Sequence, residues 1–191
     1  MPYSPEHKAK TRIAILNSAR RLFSTRGFEA VTVNEVMDNC SLTRGGFYAH
    51  FESKADLYKE ALKFSAENSE LAKPKPEDIS SKEWLDKLLD TYLSIEHVNG
   101  ENPCPLAFLA TDIASRDPAT KETYTDTYKY MNKTILEYAG SDTYCNQDTI
   151  VSLTSMIIGA VAIARTIDDQ KLVKNILDSC RQQARVMLYD I

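Results

Sequence analysis

The chain has 191 residues, of which 43% are hydrophobic and 26% are charged, the composition of an ordinary globular protein. Its four cysteines form no Cys-x-x-Cys pair and its three histidines are not spaced to complete a metal site, so we expect free thiols, no metal and no cofactor. No apolar leader follows the N-terminus, and the apolar run Ile150–Ala164 is short for a bilayer. We therefore expect a cytoplasmic protein without a membrane partner.

The charge is unevenly distributed along the chain. The formal net charge is −4 at pH 7, but residues 1–63 hold ten Lys/Arg against seven Asp/Glu, a net charge of +3. The remaining residues carry thirteen against twenty, a net charge of −7. A basic N-terminal part on an acidic remainder is typical of a protein that places only its N-terminal part against DNA.

Helical spacing of apolar residues, with none of the alternation of a β-strand, predicts four helices in the N-terminal third of the chain: Lys8–Arg26, Val33–Asn39, Thr43–His50 and Ser53–Leu71. We expect Gly27 to end the first helix. The sequence Thr32-Val33-Asn34-Glu35 has the form of a capping box for the second, and we expect Thr43 and Ser53 to cap the next two. The second and third helices, with their short connection, have the dimensions of a helix-turn-helix.

Two glycines, Gly45 and Gly46, stand inside the third predicted helix. Each costs about 1 kcal/mol relative to alanine in a helix interior. A helix that only had to be stable would not use them, so we expect something to approach this backbone closely.

The C-terminal part begins after a segment that two prolines, Pro74 and Pro76, prevent from being helical. We expect an N-terminal domain over residues 1–64 and a C-terminal domain over residues 65–191. Five helices are predicted in the latter: Lys82–His97, Pro105–Arg116, Pro118–Ala139, Gln147–Ile167 and Gln170–Tyr189. The last two are so apolar that we expect a homodimer through residues 147–189, with burial inside one chain as the open alternative.

A set of residues at fixed spacing runs through residues 8–64: Gly27-Phe28, Thr32-Val33, Glu35-Val36, Thr43-Arg44-Gly45, Phe47-Tyr48, His50-Phe51 and Ser53-Lys54-Ala55-Asp56-Leu57. In this combination the segment resembles the tetracycline-repressor (TetR) family of regulators. Asn39-Cys40 and Gly46 depart from the Ala-Gly and the bulkier residue usual in that family. The resemblance implies an all-α fold: a three-helix, helix-turn-helix DNA-binding domain joined by a linking helix to a C-terminal helical domain that senses a ligand and dimerises.

The resemblance also implies which residues contact DNA. The expected base contacts in the major groove are Thr43, Arg44 and Gly45, and a bidentate bond from Arg44 to guanine would contribute about 1–3 kcal/mol of discrimination. The positions that match the family's phosphate contacts are Thr32, Tyr48, His50 and Lys54. Taken singly, the first three also have structural interpretations, as a helix cap, a packed ring and a surface histidine.

The function implied is that of a sequence-specific transcriptional regulator, a repressor in the commoner mode of the family. It would bind double-stranded operator DNA as a homodimer and be released by a small-molecule inducer. Aromatic residues of the C-terminal part are candidates for the inducer pocket, with an ordinary aromatic core as the open alternative: Trp84, Tyr92, Phe108, Tyr124 and Tyr128.

Two alternative functions remain open. Cys104 stands between Pro103 and Pro105, near a predicted helix N-terminus whose dipole would lower the thiol pKa, so the regulator could instead sense oxidants or electrophiles. The more remote alternative is a helical enzyme or an interaction module without DNA binding. We expect no enzyme, since the sequence has no nucleophile elbow, phosphate loop or dinucleotide fingerprint.

Overall fold

The computed structural model describes residues 4–100, 104–140 and 145–189, and the regular structure in these ranges is entirely helical. The helices are α1 (Pro5–Arg26), α2 (Val33–Asn39), α3 (Arg44–Phe47), α4 (Lys54–Glu67), α5 (Ser81–Tyr92), α6 (Ile95–Asn99), α7 (Pro105–Phe108), α8 (Ala110–Ala114), α9 (Pro118–Ala139), α10 (Gln147–Thr166) and α11 (Gln170–Tyr189), with a short 3₁₀ turn at Glu70–Ala72. The all-α prediction is confirmed.

Local capping signals fix the ends of most N-terminal helices. Gly27 ends α1 with a φ of 73°, in the left-handed region that favours glycine. The capping box of α2 is present in full, with Thr32 and Glu35 each bonded to the other's backbone N–H. The Ser53 side chain caps α4 by accepting a hydrogen bond from the Asp56 N–H. These three expectations are confirmed.

The prediction for the third helix is partly wrong. Thr43 is its N-cap residue, but its side chain makes no capping hydrogen bond. The helix ends at Phe47 instead of His50, and the N–H groups of Ala49 and His50 bond to carbonyls three residues back, of Gly46 and Phe47. These bonds to carbonyls three residues back form tight turns, and the helix ends just after the two glycines. Glycine has the lowest helix propensity of all residues except proline.

Two of the helices predicted in the C-terminal part are each split in two. The expected helix Lys82–His97 breaks at Leu93, because the Ser94 hydroxyl accepts a hydrogen bond from the His97 N–H and starts α6. The expected helix Pro105–Arg116 is divided at Leu109, which has a φ of −106° and a ψ of −1° and is both the C-cap of α7 and the N-cap of α8. Helix α4 ends at Glu67 instead of continuing to Leu71, since the Ser69 N–H bonds to the Ala66 carbonyl three residues back and a 3₁₀ turn follows.

Two apolar cores divide the described residues. The first lies among α1–α4, which we call the head, and its largest fully buried side chains include Phe23, Phe47 and Tyr58. The second lies among α5, α6, α7, α9, α10 and α11, and we call these helices together with α8 the body. The head core also includes Leu109 and Ile113 from the α7–α8 segment, so this part of the body packs directly onto the head. The boundary between residues 64 and 65 stays a prediction.

Helix α10 is long and apolar enough to cross a membrane by length and composition alone, contrary to the expectation for Ile150–Ala164. The core helix of a soluble protein passes the same test. In this chain the side chains of Ile150, Leu153 and Ile157 are buried in the body core, and α10 packs along α11. One face of α10 is therefore part of the body core, while 39% of its apolar segment is buried inside the chain.

Candidate nucleic-acid interface

The N-terminal end of α3 points away from the head core. Phe47 at its other end is fully buried and stacks on Phe51, with ring centroids 5.7 Å apart. Thr43, Arg44 and Gly45 are exposed. Because one face of this short helix is held by Phe47, the three residues expected to read bases are presented together to solvent.

The space in front of Gly45 is open. A Cβ atom added there would meet nothing within 4 Å, whereas one at Gly46 would contact the Met37 side chain at 3.8 Å. No segment of the described chain therefore explains a glycine at position 45. The described chain therefore does not itself supply the close neighbour that we expected at this backbone.

Arg44 and Tyr48 carry polar groups without internal partners. Within the described ranges, neither side chain takes part in a hydrogen bond or an ion pair. Tyr48 is 62% exposed, and its ring edge rests on Phe47 at a centroid distance of 5.1 Å. The guanidinium and the phenol are therefore both available to an external acceptor.

Thr32 is exposed but its polar groups are already bonded. Its hydroxyl accepts from the Glu35 N–H at 3.2 Å and donates to the Glu35 carboxylate at 2.8 Å. The Thr32 N–H donates to the same carboxylate at 2.8 Å. These bonds, followed by the pairing with Arg26, lower the pKa of Glu35 to about 2. The N-terminus of α2 therefore already holds a carboxylate.

Lys54 ties the loop between α1 and α2 to α4. Its ammonium donates to the carbonyls of Phe28 at 2.8 Å and Val31 at 3.0 Å, and lies 4.1 Å from the centroid of the Phe28 ring. Since an ammonium has three N–H donors, one is left beyond these two bonds. Lys54 has a structural role whether or not it also meets a phosphate.

His50 is half-buried beside the N-terminal part of α1. Its Nδ1 is buried and has no hydrogen-bond partner in the described chain, and its carbonyl accepts from Arg12 at 2.9 Å. Burial lowers the pKa of His50, and the positive charges of Lys8 and Arg12 lower it further. The ring is therefore neutral at pH 7, but it lies in a cluster of cations suited to an anionic surface.

A second feature, remote from α3, is a cavity of about 410 Å³ between the C-terminal end of α4 and helices α5, α6, α7 and α9. Of the five aromatic residues expected to form a pocket, only Tyr92 lines this cavity. The other four, Trp84, Phe108, Tyr124 and Tyr128, pack elsewhere in the body. Tyr124, for example, donates to the Leu106 carbonyl at 2.7 Å. The sequence could not show this, because the cavity wall comes from seven separate helices.

Cys104 also lines the cavity, in surroundings opposite to those expected of a reactive thiol. It is only 9% exposed, and its Sγ lies 3.1 Å from the Tyr92 hydroxyl. Burial raises its pKa, so the thiol form is favoured and the expectation of a lowered pKa is wrong. Helix α7, which Cys104 caps, has only four residues and thus a small dipole. Pro103 lies outside the described residues.

The sequence comparisons identify the head. Residues 15–61 match the family model described as "Bacterial regulatory proteins, tetR family". The chain is 31% identical over 87 residues to the regulator UidR of Escherichia coli (strain K12), covering 46% of this chain and 43% of that protein. It is 34% identical over 62 residues to the repressor KstR2 of Mycolicibacterium smegmatis, covering 32% of this chain and 30% of that protein. These matches span less than half of each relative.

Solved structures extend the likeness to the whole fold. A TetR-family regulator from Rhodococcus sp. has a TM-score of 0.76 and 18% identity, covering 94% of this chain and 99% of that chain. The reduced form of NemR from E. coli has a TM-score of 0.76 and 13% identity, covering 92% of this chain and 95% of that one. At these identities the structures show the fold alone. Residues 15–61 therefore carry the sequence of the tetR family of bacterial regulatory proteins, and the chain as described has the fold of solved TetR-family regulators.

Proposed function

We propose that this protein is a sequence-specific DNA-binding repressor that binds its operator as a homodimer and is released by a small-molecule inducer. The observation that carries the proposal is the exposed end of α3, where Thr43, Arg44 and Gly45 face solvent on a packed head and the Arg44 side chain has no partner in the described chain. The names of the relatives support it, since UidR is a transcriptional regulator and KstR2 a transcriptional repressor. A cytoplasmic location follows from this function.

Base recognition is assigned to the N-terminal end of α3. The Arg44 guanidinium has the paired donors that match the O6 and N7 acceptors of guanine in the major groove. Gly45, with open space where a Cβ would lie, lets the backbone come close to the base edges. Thr43 adds a short hydroxyl beside them.

Phosphate contacts hold this end of α3 in register. The Tyr48 phenol is exposed and free to donate to a phosphate oxygen. Thr32, His50 and Lys54 are the further candidates for phosphate contacts on the head, with the internal bonds described above. Their contribution to DNA affinity is therefore expected to be smaller than that of Tyr48 and partly structural.

Dimerisation is assigned to α10 and α11. These helices pack together and leave large apolar side chains exposed: Val151, which is 41% exposed, Ile163 at 53%, Leu172 at 45% and Val186 at 37%. Gly159 has nothing within 4 Å of an added Cβ, so a partner helix could approach α10 closely there. A second copy of this face would bury these side chains in a four-helix interface and place two α3 helices for half-sites about 34–36 Å apart.

The body is coupled to the head through Asp112 on α8. Its carboxylate accepts from the Tyr58 hydroxyl of α4 and from the Phe28 N–H at 3.4 Å. One helical turn later, Arg116 pairs with Glu29 at 2.6 Å. We call this group of contacts the α8 joint. A change in the body that moves α8 or the end of α4 would thereby move the head.

The alternatives have less support. The buried, protonated Cys104 does not favour a thiol sensor. Among the described residues there is no cluster of three or more metal-ligating side chains. The proposal includes no enzymatic activity.

The test is selection of bound sequences from a pool of random double-stranded DNA with the full-length protein. We expect one enriched motif with two inverted half-sites about one helical turn apart. Arg44→Ala should lose the preference for one base in each half-site, whereas Lys63→Ala, which removes an exposed cation paired with Glu67 on α4, should select the same motif. A pool that stays random would overturn the proposal.

A further inference from the structure

The body cavity has an apolar interior of a size suited to a small organic molecule. Its volume of about 410 Å³ lies within the range of ligand sites, roughly 300–1,000 Å³. Buried aliphatic side chains form much of its wall: Leu85, Leu88, Leu89, Leu106, Met131 and Ile135. Such a wall favours an apolar ligand and gives no partner to a charge.

One polar atom at the cavity lacks a partner. Nε2 of His97 is buried and makes no hydrogen bond to any residue that the structure describes. The imidazole lies against the Tyr92 ring, with centroids 4.8 Å apart, and the Tyr92 hydroxyl is already close to Cys104. A buried polar atom without a partner is costly, so a ligand group that bonds to Nε2 would gain affinity there.

The interior groups of the cavity are uncharged. Burial lowers the pKa of His97 and raises those of Tyr92 and Cys104, so all three are neutral at pH 7. Three charged residues also line the cavity, one cation and two anions: Arg20, Glu70 and Glu96. The carboxylates are on exposed residues and Glu70 pairs with Lys73, while Arg20 is half-buried and bonds to Asn17 at 3.1 Å. Apart from Arg20, which already has a hydrogen bond inside the chain, the wall therefore offers no half-buried counterion to a charged ligand.

We infer that the cavity binds an uncharged, largely apolar organic compound that carries one N–H or O–H donor, which bonds to Nε2 of His97. Ser65 and Ser69, at the C-terminal end of α4, also line the cavity, so this compound would contact the helix that carries Lys54 at its other end. Its action as the inducer rests on the proposed function, but its binding does not.

Three compounds with related skeletons test the inference by titration of the full-length protein. N-phenyl-1-naphthylamine is neutral, has one N–H and fluoresces in apolar sites. In 1-benzylnaphthalene a CH₂ replaces that N–H, and 8-anilinonaphthalene-1-sulfonate carries an added anion. We expect the amine to bind one site per chain, and the sulfonate to bind at least about tenfold more weakly because its charge has no partner in the interior.

A variant locates the hydrogen bond. His97→Phe keeps a flat ring and the backbone N–H that Ser94 caps, but removes Nε2. We expect it to weaken binding of the amine about 2- to 10-fold and to leave binding of 1-benzylnaphthalene, measured by displacement, unchanged. Tyr138→Phe, a half-buried body ring that does not line the cavity, serves as the matched control and should change neither. Should His97→Phe fail to fold, the comparison of amine and benzyl compound on the native chain still tests the bond.

Several results would overturn the inference. Tighter binding of the sulfonate, lost in Arg20→Met, would show that the cavity takes anions. Equal binding of the amine and the benzyl compound would show that no hydrogen bond to His97 contributes. Absence of binding by both compounds would show that the cavity is not a site for them. DNA binding is measured separately on the same samples. If the amine binds but does not release the selected DNA, the inducer role fails while the ligand class stands; if no DNA is bound at all, the proposed function fails independently.

Discussion

Arg44 and Lys54 are both cations expected at the DNA surface, yet their surroundings in the head differ. The Arg44 guanidinium is exposed and unpaired within the described chain, whereas the Lys54 ammonium is bonded to the carbonyls of Phe28 and Val31. Replacing Lys54 would disturb the loop between α1 and α2 as well as any phosphate contact. Replacing Arg44 changes no internal contact, so its effect on DNA binding can be interpreted directly.

Two half-buried histidines, His50 and His97, predict how stability depends on pH. Burial lowers the pKa of His97, and burial with nearby Lys8 and Arg12 lowers that of His50, so the unfolded chain takes up protons near the ordinary value of 6.5 while the folded chain does not. Stability should therefore fall as pH decreases from about 7.5 to about 5.5. Urea unfolding across this range measures it. His97→Phe should make the dependence shallower, and a midpoint that rises on acidification would contradict the assignment.

The α8 joint is the main polar connection between head and body among the described residues. Tyr58 is 1% exposed, and its hydroxyl donates to the Asp112 carboxylate, which raises the pKa of the phenol in addition to the larger effect of burial. Asp112 also receives the Phe28 N–H, so α8, α4 and the loop after α1 meet at one carboxylate. A body that can change state transmits that change most directly here.

Tyr58→Phe removes one bond of the joint without removing the ring. Because the lost bond is to a charged acceptor in a buried position, we expect unfolding to require about 1.5–3 kcal/mol less free energy. Tyr124→Phe is the matched control, since its hydroxyl bonds to the neutral Leu106 carbonyl and its loss should cost about 0.5–1.5 kcal/mol. Chemical denaturation of both variants makes the comparison. A smaller loss for Tyr58 than for Tyr124 would argue against the joint.

The elements that the sequence predicts correctly are those with local signals. Gly27, the Thr32–Glu35 box and the Asp117-Pro118 start of α9 each act within one turn of helix, and each is where it was expected. The breaks at Leu93 and Leu109 have no comparable signal in the apolar spacing. Leu109 packs into the head core although it follows a body helix, so its position is decided by tertiary contacts that no local pattern contains.

The proposed dimer accounts for the apolar side chains that a single chain leaves exposed on α10 and α11. Ile163→Glu should abolish dimerisation, because a carboxylate would be buried without a partner in the proposed interface. Light scattering after size-exclusion chromatography gives the mass of the native protein and the variant. Ile13→Glu, at a position 49% exposed on α1, is the matched control and should remain dimeric. A monomeric native protein would contradict the proposed interface.

The candidate sites differ in how far the sequence predicts them. The end of α3 is defined by adjacent residues, so Thr43, Arg44 and Gly45 could be named together before the fold was known. The cavity is built from residues of α1, α4, α5, α6, α7, α9 and α10. Aromatic content identified Tyr92, but His97 carries no distinguishing neighbour in the sequence and is important only because folding buries its Nε2 without a partner.

Reading of base sequence by Arg44 of α3 is tested by titrating the selected operator and a scrambled duplex of equal length with native protein, Arg44→Ala and Lys63→Ala. We predict that Arg44→Ala loses about 1–3 kcal/mol of binding free energy for the operator. For the scrambled duplex, it should lose no more binding free energy than Lys63→Ala does. Native protein that binds both duplexes equally, or an Arg44→Ala variant that weakens both to the same extent, would contradict the claim.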